Sequence, residues 1–205
     1  MSERSIVAVS AGLGQPSSTR LLADRLAQAV TEELAAREVT ATVRTVELRD
    51  VAHDVVNAML TGFPAEELRE VLDAVTGADG LIAVTPLFTT TYSGLFKSFV
   101  DILDPESLTG MPVLLGATGG TPRHSLALEY SVRPLFTYLH ADVTTTSVFA
   151  ATDDWAGEGD KVNPLPARIR RAARELAEAV AARESTGPAD PFAEVPNFEQ
   201  MLREI

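Results

Sequence analysis

Residues 6–20 have the sequence IVAVSAGLGQPSSTR. The β-branched run that ends at Ser10 is typical of a buried strand, and an uncharged loop of small residues follows it. Ser17, Ser18 and Thr19 then stand where apolar residues begin to recur with the period of a helix. The stretch therefore predicts a strand that passes through a short loop into the N-terminus of a helix.

The hydroxyl cluster at residues 17–19 has two interpretations. The first backbone N–H groups of a helix have no intrahelical partner and carry partial positive charge, so a phosphate group binds well there. Serine and threonine are also favoured helix caps whatever the function. Two known phosphate motifs are excluded, because there is no G-x-x-x-x-G-K-[ST] and the third glycine of G-x-G-x-x-G is missing after Gly12 and Gly14.

The rest of the chain alternates strand and helix patterns. Further strands are predicted at residues 40–48, 80–85, 111–117 and 142–150. Helices are predicted at residues 18–37, 64–77, 95–103, 124–140 and 164–182. Right-handed crossovers between such strands give a parallel sheet with helices on both faces. The predicted fold class is therefore α/β, a doubly wound five-stranded parallel sheet.

Prolines and weakly periodic segments set the remaining expectations. We expect Pro86 to end the third strand and Pro134 to kink or restart the fourth helix near Arg133. Residues 49–62 and 152–163 lack clear periodicity and are predicted as loops, the first with at most a helical turn. Residues 1–184 are predicted to form one domain, and residues 185–205 a C-terminal tail or an oligomerisation arm that packs through its apolar residues, Phe192, Phe198, Met201 and Leu202.

Composition excludes several function classes. The 205 residues contain 17 Lys and Arg against 29 Asp and Glu, a formal net charge of −12, which argues against binding to nucleic acid or anionic membranes. Cysteine is absent, so disulfides and thiolate chemistry are excluded. No pair of histidines has metal-ligand spacing, and no metal site is predicted. The N-terminus lacks a signal-peptide core, so we expect a cytoplasmic protein.

Three uncharged loops are predicted to meet at one edge of the sheet. Ligands of doubly wound folds bind outside the carboxyl ends of the strands, where the loops after strands 1, 3 and 4 all emerge. Hydroxyl and N–H groups there suit a phosphate tail, and backbone amides with apolar walls suit a flat heteroaromatic ring. The candidate walls are Leu87, Phe88 and Tyr92.

These segments resemble a known family. The sequences VSAGLGQPSSTRLL (9–22), TPLFTTTYSGLFKSFVD (85–101) and GATGGTPRHSLALEYSVRPLF (116–136) are similar to the flavin-contacting segments of the NAD(P)H-dependent FMN reductases. The resemblance extends over about residues 5–182 and implies a flavodoxin-like three-layer sandwich. The middle segment departs from the family pattern at Phe88, where tyrosine is common.

The resemblance implies three sets of residues that contact FMN. The phosphate would be held by Ser10, Ser17, Ser18 and Thr19. The ribityl chain and one edge of the isoalloxazine would be lined by Pro86, Leu87, Phe88 and Thr89. The pyrimidine end of the ring would receive backbone amides from Thr118, Gly119 and Gly120. The arginine often found in the first loop is missing, so Arg20 would be the nearest positive charge.

The implied activity is hydride transfer from NADPH or NADH to FMN, which needs no catalytic side chain because the protein supplies positioning and electrostatics. The implied partners are a nicotinamide nucleotide, a flavin-dependent monooxygenase that receives reduced flavin, and further copies of the chain in a homodimer or homotetramer. Arg123 and Arg133 are candidates for the nicotinamide phosphates, and His124 is a further candidate ligand contact. Lys97 and Asp101 are expected to form a surface or intersubunit ion pair.

Two other functions use the same FMN pocket. A flavodoxin-type electron carrier would bind FMN tightly without a nicotinamide site, and the acidic charge would suit docking to a basic partner. A quinone or azo-dye reductase would differ in its electron acceptor. The helix that begins near Leu95 and the C-terminal tail favour self-association and therefore the reductase.

Overall fold

A computed structural model describes residues 3–183 of the chain. The strands are β1 (Glu3–Ser10), β2 (Thr40–Glu47), β3 (Gly80–Phe88), β4 (Thr91–Tyr92), β5 (Pro112–Gly119), β6 (Asp142–Val143) and β7 (Val148–Ala151). The helices are α1 (Ser18–Ala35), α2 (Ala52–Thr61), α3 (Glu66–Thr76), α4 (Gly94–Asp101), α5 (Arg133–Tyr138), α6 (Thr152–Ala156) and α7 (Leu165–Ala182). The predicted tail at 185–205, and with it the domain boundary, lies outside the described residues.

The strands form one sheet in the spatial order β2-β1-β3-β5, with β6 and β7 both paired to the far edge of β5. Each of these pairs is parallel, and only β4 runs antiparallel, beside the end of β3. The predicted doubly wound parallel sheet is confirmed, with seven strands in place of five. Strand order reverses between β1 and β3, so a crevice opens above their carboxyl ends.

Each face of the sheet carries its own apolar core. Side chains alternate along a strand, so Ile6 and Ala8 of β1 pack beneath α1 and α7, whereas Val7 and Val9 face the layer built from α2, α3, α4 and α5. Leu26 of α1 is completely buried in the first of these cores. This burial fixes α1 against the sheet and holds its N-terminus at the carboxyl edge.

The fifth strand position holds two short strands in place of the continuous strand predicted at 142–150. Arg133 donates hydrogen bonds of 3.0 to 3.2 Å to two carbonyls and a hydroxyl within residues 144–147, between β6 and β7. Glu175 accepts from the backbone N–H of Thr146 at 2.7 Å and from its hydroxyl. These side chains replace the ladder hydrogen bonds that a continuous strand would make.

We expect Arg133→Met to lower the free energy of unfolding by about 2 kcal/mol, because it removes charge-assisted hydrogen bonds to residues 144–147. Arg133 also donates to Glu129 at 2.5 Å, and this hydrogen bond lowers the pKa of the Glu129 carboxyl. The stabilisation that comes from the Arg133–Glu129 pair is therefore complete above the ordinary carboxyl pKa. It is lost as the pH falls through the lowered pKa of Glu129, whereas the hydrogen bonds to residues 144–147 remain. Urea unfolding of wild type and variant at several pH values measures both effects.

The control for this variant is Arg170→Met, because it removes an arginine from an exposed position on α7 that does not contact residues 144–147. We expect Arg170→Met to change stability by less than about 0.5 kcal/mol. An Arg133→Met variant of unchanged stability but raised KM for NADPH would instead favour the predicted role of Arg133 as a nicotinamide-phosphate ligand.

Pro86 does not end β3, contrary to prediction. The strand continues to Phe88 because its last two residues pair with β4 in an antiparallel hairpin. Thr89 and Thr90 form the turn with φ values of 49° and 77°, the left-handed conformation that two-residue hairpin turns require. The hairpin extends the third strand above the sheet edge.

Two segments predicted as loops contain helices, and one predicted helix is divided. The weak periodicity of α2 has a simple cause, since only Val55 and Ala58 of this helix are buried. The short helix α6 occupies the start of the predicted loop 152–163. Residues 124–140 form the end of a 3₁₀ turn, a π-helical turn and then α5, which begins at Arg133 as predicted for a restart caused by Pro134.

Candidate functional site

The N-terminus of α1 presents hydroxyl groups and carries no acidic residue in its first turn. Ser17 is the N-cap, with extended backbone and a side chain that accepts a hydrogen bond from the Arg20 N–H at 3.2 Å. Ser18 and Thr19 begin the helix, and the Thr19 hydroxyl lies 2.8 Å from the Thr118 hydroxyl at the end of β5. The first turn of α1 is thus tied to the third of the uncharged loops, and its positive end is not neutralised by an acidic side chain of its own.

Gly12 lets the loop after β1 pass close over the helix cap. A methyl group at this position would lie 2.0 Å from Ser17 Oγ and 3.0 Å from Thr19 Cβ. We expect Gly12→Ala to displace the Ser17 side chain and lower the free energy of unfolding by about 1–2 kcal/mol, the cost of a lost N-cap. Thermal unfolding monitored by circular dichroism measures the change.

Gly94→Ala is the matched control, because a methyl group at Gly94 would meet nothing within 4 Å. Gly94 is the first residue of α4, where alanine is at least as good a helix former. A Gly12→Ala variant as stable as Gly94→Ala would contradict the tight loop packing.

The three uncharged loops enclose one cleft of about 420 Å³, a size typical of small-molecule sites. The residues that line it are Gly12, Leu13, Gly14, Pro16, Ser17, Ser18, Thr19, Pro86, Leu87, Phe88, Thr118, Gly119, Gly120, Thr152 and Trp155. None of these side chains is ionisable. Of the eleven residues that the family resemblance assigns to FMN, only Ser10 and Thr89 do not line this cleft.

Ser10, Thr89 and Tyr92 lie outside the cleft lining. Ser10 is completely buried beneath the loop, where its hydroxyl is 3.5 Å from the Gly12 N–H. Thr89 is exposed in the hairpin turn. Tyr92, predicted as a possible wall, packs against the core with its ring centroid 6.4 Å from that of Phe96. The apolar walls on this side are Leu87 and the half-exposed Phe88.

The arginines nearest to the loop are already paired. Arg20 donates to Asp24 and to Glu47, both at 2.8 Å, and the hydrogen bond to Asp24 raises the pKa of the guanidinium. Arg49 pairs with Glu47 at 3.1 Å and donates to the Gly14 carbonyl at 3.0 Å. Arg20, expected to be the nearest positive charge, is therefore largely neutralised, and Arg49 braces the loop.

The other charged candidates lie at the surface. Arg123 and His124 are exposed in the 3₁₀ turn that follows Gly120, and neither lines the cleft. Lys97 and Asp101 form a partly exposed ion pair at 2.5 Å on α4, as expected. Among residues 3–183, no group of histidine and carboxylate side chains is arranged to hold a metal ion.

Sequence reasoning missed two residues that follow the fifth strand position. Thr152 and Trp155 belong to α6 and complete the cleft lining. The rule that predicted convergence of the earlier loops applies equally to the loop after β7, which carries the one tryptophan of the chain. An aromatic residue in the segment that follows a buried strand was the available signal.

Comparison with known proteins assigns the family. The sequence model described as "NADPH-dependent FMN reductase" matches residues 4–156. The chain belongs to the NADPH-dependent FMN reductase family. A family relative named FMN reductase (NADPH), from Pseudomonas aeruginosa, is 37% identical over 172 residues, which cover 84% of this chain and 90% of the relative.

Solved structures agree with this assignment to the FMN reductase family. An oxidoreductase from Corynebacterium diphtheriae superposes with a TM-score of 0.85 at 43% identity, covering 90% of this chain and all of the other. The apo form of the NADH:FMN oxidoreductase EmoB gives a TM-score of 0.76 at 30% identity, covering 89% and 93% of the two chains. Within residues 3–183, the helices are too short or too polar to cross a membrane.

Proposed function

We propose that the cleft binds FMN and that the protein transfers hydride from NADPH or NADH to this flavin. The observation that carries the proposal is the uncharged cleft that joins the N-terminus of α1 to the carboxyl ends of β3 and β5. A helix N-terminus without acidic side chains suits the FMN phosphate, and the neighbouring backbone-rich loops suit a flat ring.

The residues present fit FMN. Ser17, Ser18 and Thr19 would hold the phosphate with hydroxyl and backbone N–H groups. Pro86, Leu87 and Phe88 would line the ribityl chain and one edge of the ring, and Thr118, Gly119 and Gly120 would face its pyrimidine end. Gly120 supports this fit, because a Cβ there would meet no protein atom within 4 Å and the space beside its backbone is open. Ser10 would support the loop from below.

The cleft contributes positioning to the reaction. Bound FMN would supply the hydride-accepting chemistry when a reduced nicotinamide lies against it. The cleft lining contains hydroxyl groups but no ionisable side chain that would act as a general acid or base or activate a hydroxyl. The chain therefore accelerates transfer by orienting the two ring systems and excluding water between them.

The nicotinamide nucleotide would approach over the half-exposed Phe88 side of the cleft. Arg123 is exposed in the turn that follows Gly120 and forms no ion pair with any residue described, whereas Arg133 is engaged by Glu129 and by residues 144–147. We therefore assign the nicotinamide phosphates to Arg123. The FMN reductase relatives include both NADPH-named and NADH-named proteins, so kinetics with both nucleotides decide the preference.

The decisive experiment measures oxidation of NADPH and of NADH by the purified protein, with and without added FMN. We expect FMN-dependent oxidation of at least one nucleotide. A protein that binds FMN tightly but oxidises neither nucleotide would be a flavodoxin-type carrier, a function that the net charge of −12 also favours. Oxidation that requires an added quinone or azo dye would indicate a reductase for those acceptors.

Reduced FMN is proposed to leave the protein for a separate flavin-dependent monooxygenase. The paired state of Arg20 and Arg49 supports exchangeable binding, because the phosphate would be held without a guanidinium in the first loop. Transfer is tested by coupling the protein to a monooxygenase across a dialysis membrane that passes only the flavin.

Self-association is proposed through the surface around α2 and α4. Val56, Met59, Leu60 and Phe63 are 47–80% exposed, and a groove beside them is lined by Ile102 and other residues of both helices. Exposed apolar side chains concentrated in this way favour a protein interface. Analytical ultracentrifugation would distinguish a homodimer, a homotetramer and a monomer.

A further inference from the structure

We propose that Trp155 and Arg25 form the outer wall of the phosphate end of the cleft and supply the shielding and positive charge that the first loop lacks. This inference rests on the proposed binding of FMN. It assigns roles to two residues that lie outside the three FMN-contacting segments, one on α6 and the other on the second turn of α1.

Trp155 is held in a fixed place beside the cleft. It lines the cleft together with Ser17 and Ser18, and its indole also packs against the apolar core beneath α1 and α7. Asp154 anchors the short helix α6, because it accepts from the Ala151 N–H at 2.8 Å and forms a largely buried ion pair with Arg168 of α7. The indole is therefore a preformed wall.

Arg25 links this wall to α1. Its guanidinium lies 5.1 Å from the centroid of the Trp155 ring, within the range of a cation–π contact. Arg25 follows Ser18 by seven residues, so both lie on the same face of the helix, and long helical side chains lean toward the N-terminus. The Arg25 side chain thus extends from behind the first turn toward the phosphate end.

The charge of Arg25 is not cancelled by a neighbour. Arg20 and Arg49 are paired with carboxylates, whereas Arg25 forms no ion pair with any residue of the described chain. The net charge of −12 repels an anionic phosphate group. An unpaired guanidinium near the cleft attracts the phosphate locally and so counteracts this repulsion. The Trp155 ring excludes water on one side, which strengthens this attraction.

The test compares FMN with riboflavin, which has the same ring and ribityl chain but no phosphate. Calorimetry gives both Kd values for wild type, Arg25→Gln, Trp155→Leu and Trp155→Phe. The ratio of the riboflavin Kd to the FMN Kd measures what the phosphate contributes. Arg170→Gln is the matched control, because it removes the same charge from an exposed position on α7.

We expect Arg25→Gln to reduce this ratio by about three- to tenfold at low salt and by less as salt increases, since a partly exposed charge is screened. Trp155→Leu should reduce it by about tenfold, and Trp155→Phe by less because an aromatic wall remains. Riboflavin binding should change less than about twofold in each variant, and Arg170→Gln should leave both ligands unaffected.

Three outcomes would overturn the inference. A ratio within twofold of wild type in both Arg25→Gln and Trp155→Leu would show that the pair does not serve the phosphate. An equal loss of FMN and riboflavin affinity in the Trp155 variants would show that Trp155 contacts the flavin ring and does not serve the phosphate. A wild-type protein that binds neither flavin would overturn the proposed function as well. Thermal melts check that the variants are folded, and Arg25 is exposed, so its replacement should not affect folding.

Discussion

Ser18→Asp should raise the Kd for FMN by more than about a hundredfold, corresponding to about 3 kcal/mol. The substitution places a carboxylate in the first turn of α1, where the proposed phosphate would lie. Two like charges about 4 Å apart repel by several kcal/mol at the effective dielectric of a protein surface, and the hydroxyl donor is also lost. Calorimetric titration of the apo protein with FMN measures the effect.

The same substitution should stabilise the apo protein. The first turn of α1 has no acidic residue, so an added carboxylate there would interact favourably with the helix dipole, by about 0.3–1 kcal/mol. Weaker FMN binding together with a more stable apo protein would indicate charge repulsion at a phosphate site. Weaker binding together with a less stable apo protein would indicate general damage to the helix. Ser18→Asn is the control, since it matches the size of aspartate without its charge.

The outcome also decides between the two sequence interpretations of residues 17–19. A plain capped helix predicts that Ser18→Asp and Ser18→Asn leave the Kd for FMN unchanged. The observed N-cap bond from the Arg20 N–H to Ser17 satisfies one of the free backbone groups at this end of α1. A capped helix and a phosphate site can therefore coexist in this stretch.

Local sequence patterns were sufficient for the fold and for most of the cleft. The β-branched run before Ser10 and the helical period after Ser17 are short-range signals, and each matches an element of the structure. Parallel strands all end at the same edge, so the convergence of residues 11–16, 86–88 and 118–120 followed from the parallel arrangement of the strands. These features depend on neighbouring residues and on topology, both of which the sequence specifies.

The features that were missed depend on pairings that an apolar run or a helical period does not show. β3 continues past Pro86 because Leu87 and Phe88 pair with β4, and this hairpin could not be inferred from the apolar run alone. The gap between β6 and β7 exists because Arg133 and Glu175, on separate helices, satisfy its backbone. The side-chain pairing that neutralises Arg20 involves Glu47, 27 residues away in the chain.

The charge distribution of the cleft is a property of the assembled fold. The chain carries a net charge of −12, but the cleft lining contains no charged side chain. Acidic residues near the first loop form ion pairs with Arg20 and Arg49, so their negative charges are largely compensated. An acidic protein can therefore keep a site that accepts an anionic flavin.

Gly120→Val should abolish measurable FMN binding, with a Kd increase of at least about a hundredfold, while leaving the fold intact. A Cβ at Gly120 would meet no protein atom within 4 Å, so the valine side chain would extend into the open cleft without straining the apo protein. The branched side chain would occupy space that the flavin ring needs and would also cover the backbone amides of residues 118–120. Calorimetry measures the Kd, and thermal unfolding measures stability.

The loss of FMN binding without a loss of stability distinguishes Gly120 from Gly12, because replacement of Gly12 should destabilise the protein itself. Gly120→Ala should give an intermediate loss of affinity, because one methyl group occupies less of the cleft than an isopropyl group does. Thr121→Val is the control, since Thr121 is exposed and adjacent but does not line the cleft. If Gly120→Val bound FMN as well as Thr121→Val does, the flavin ring could not lie against residues 118–120, and the orientation proposed for FMN would have to be abandoned.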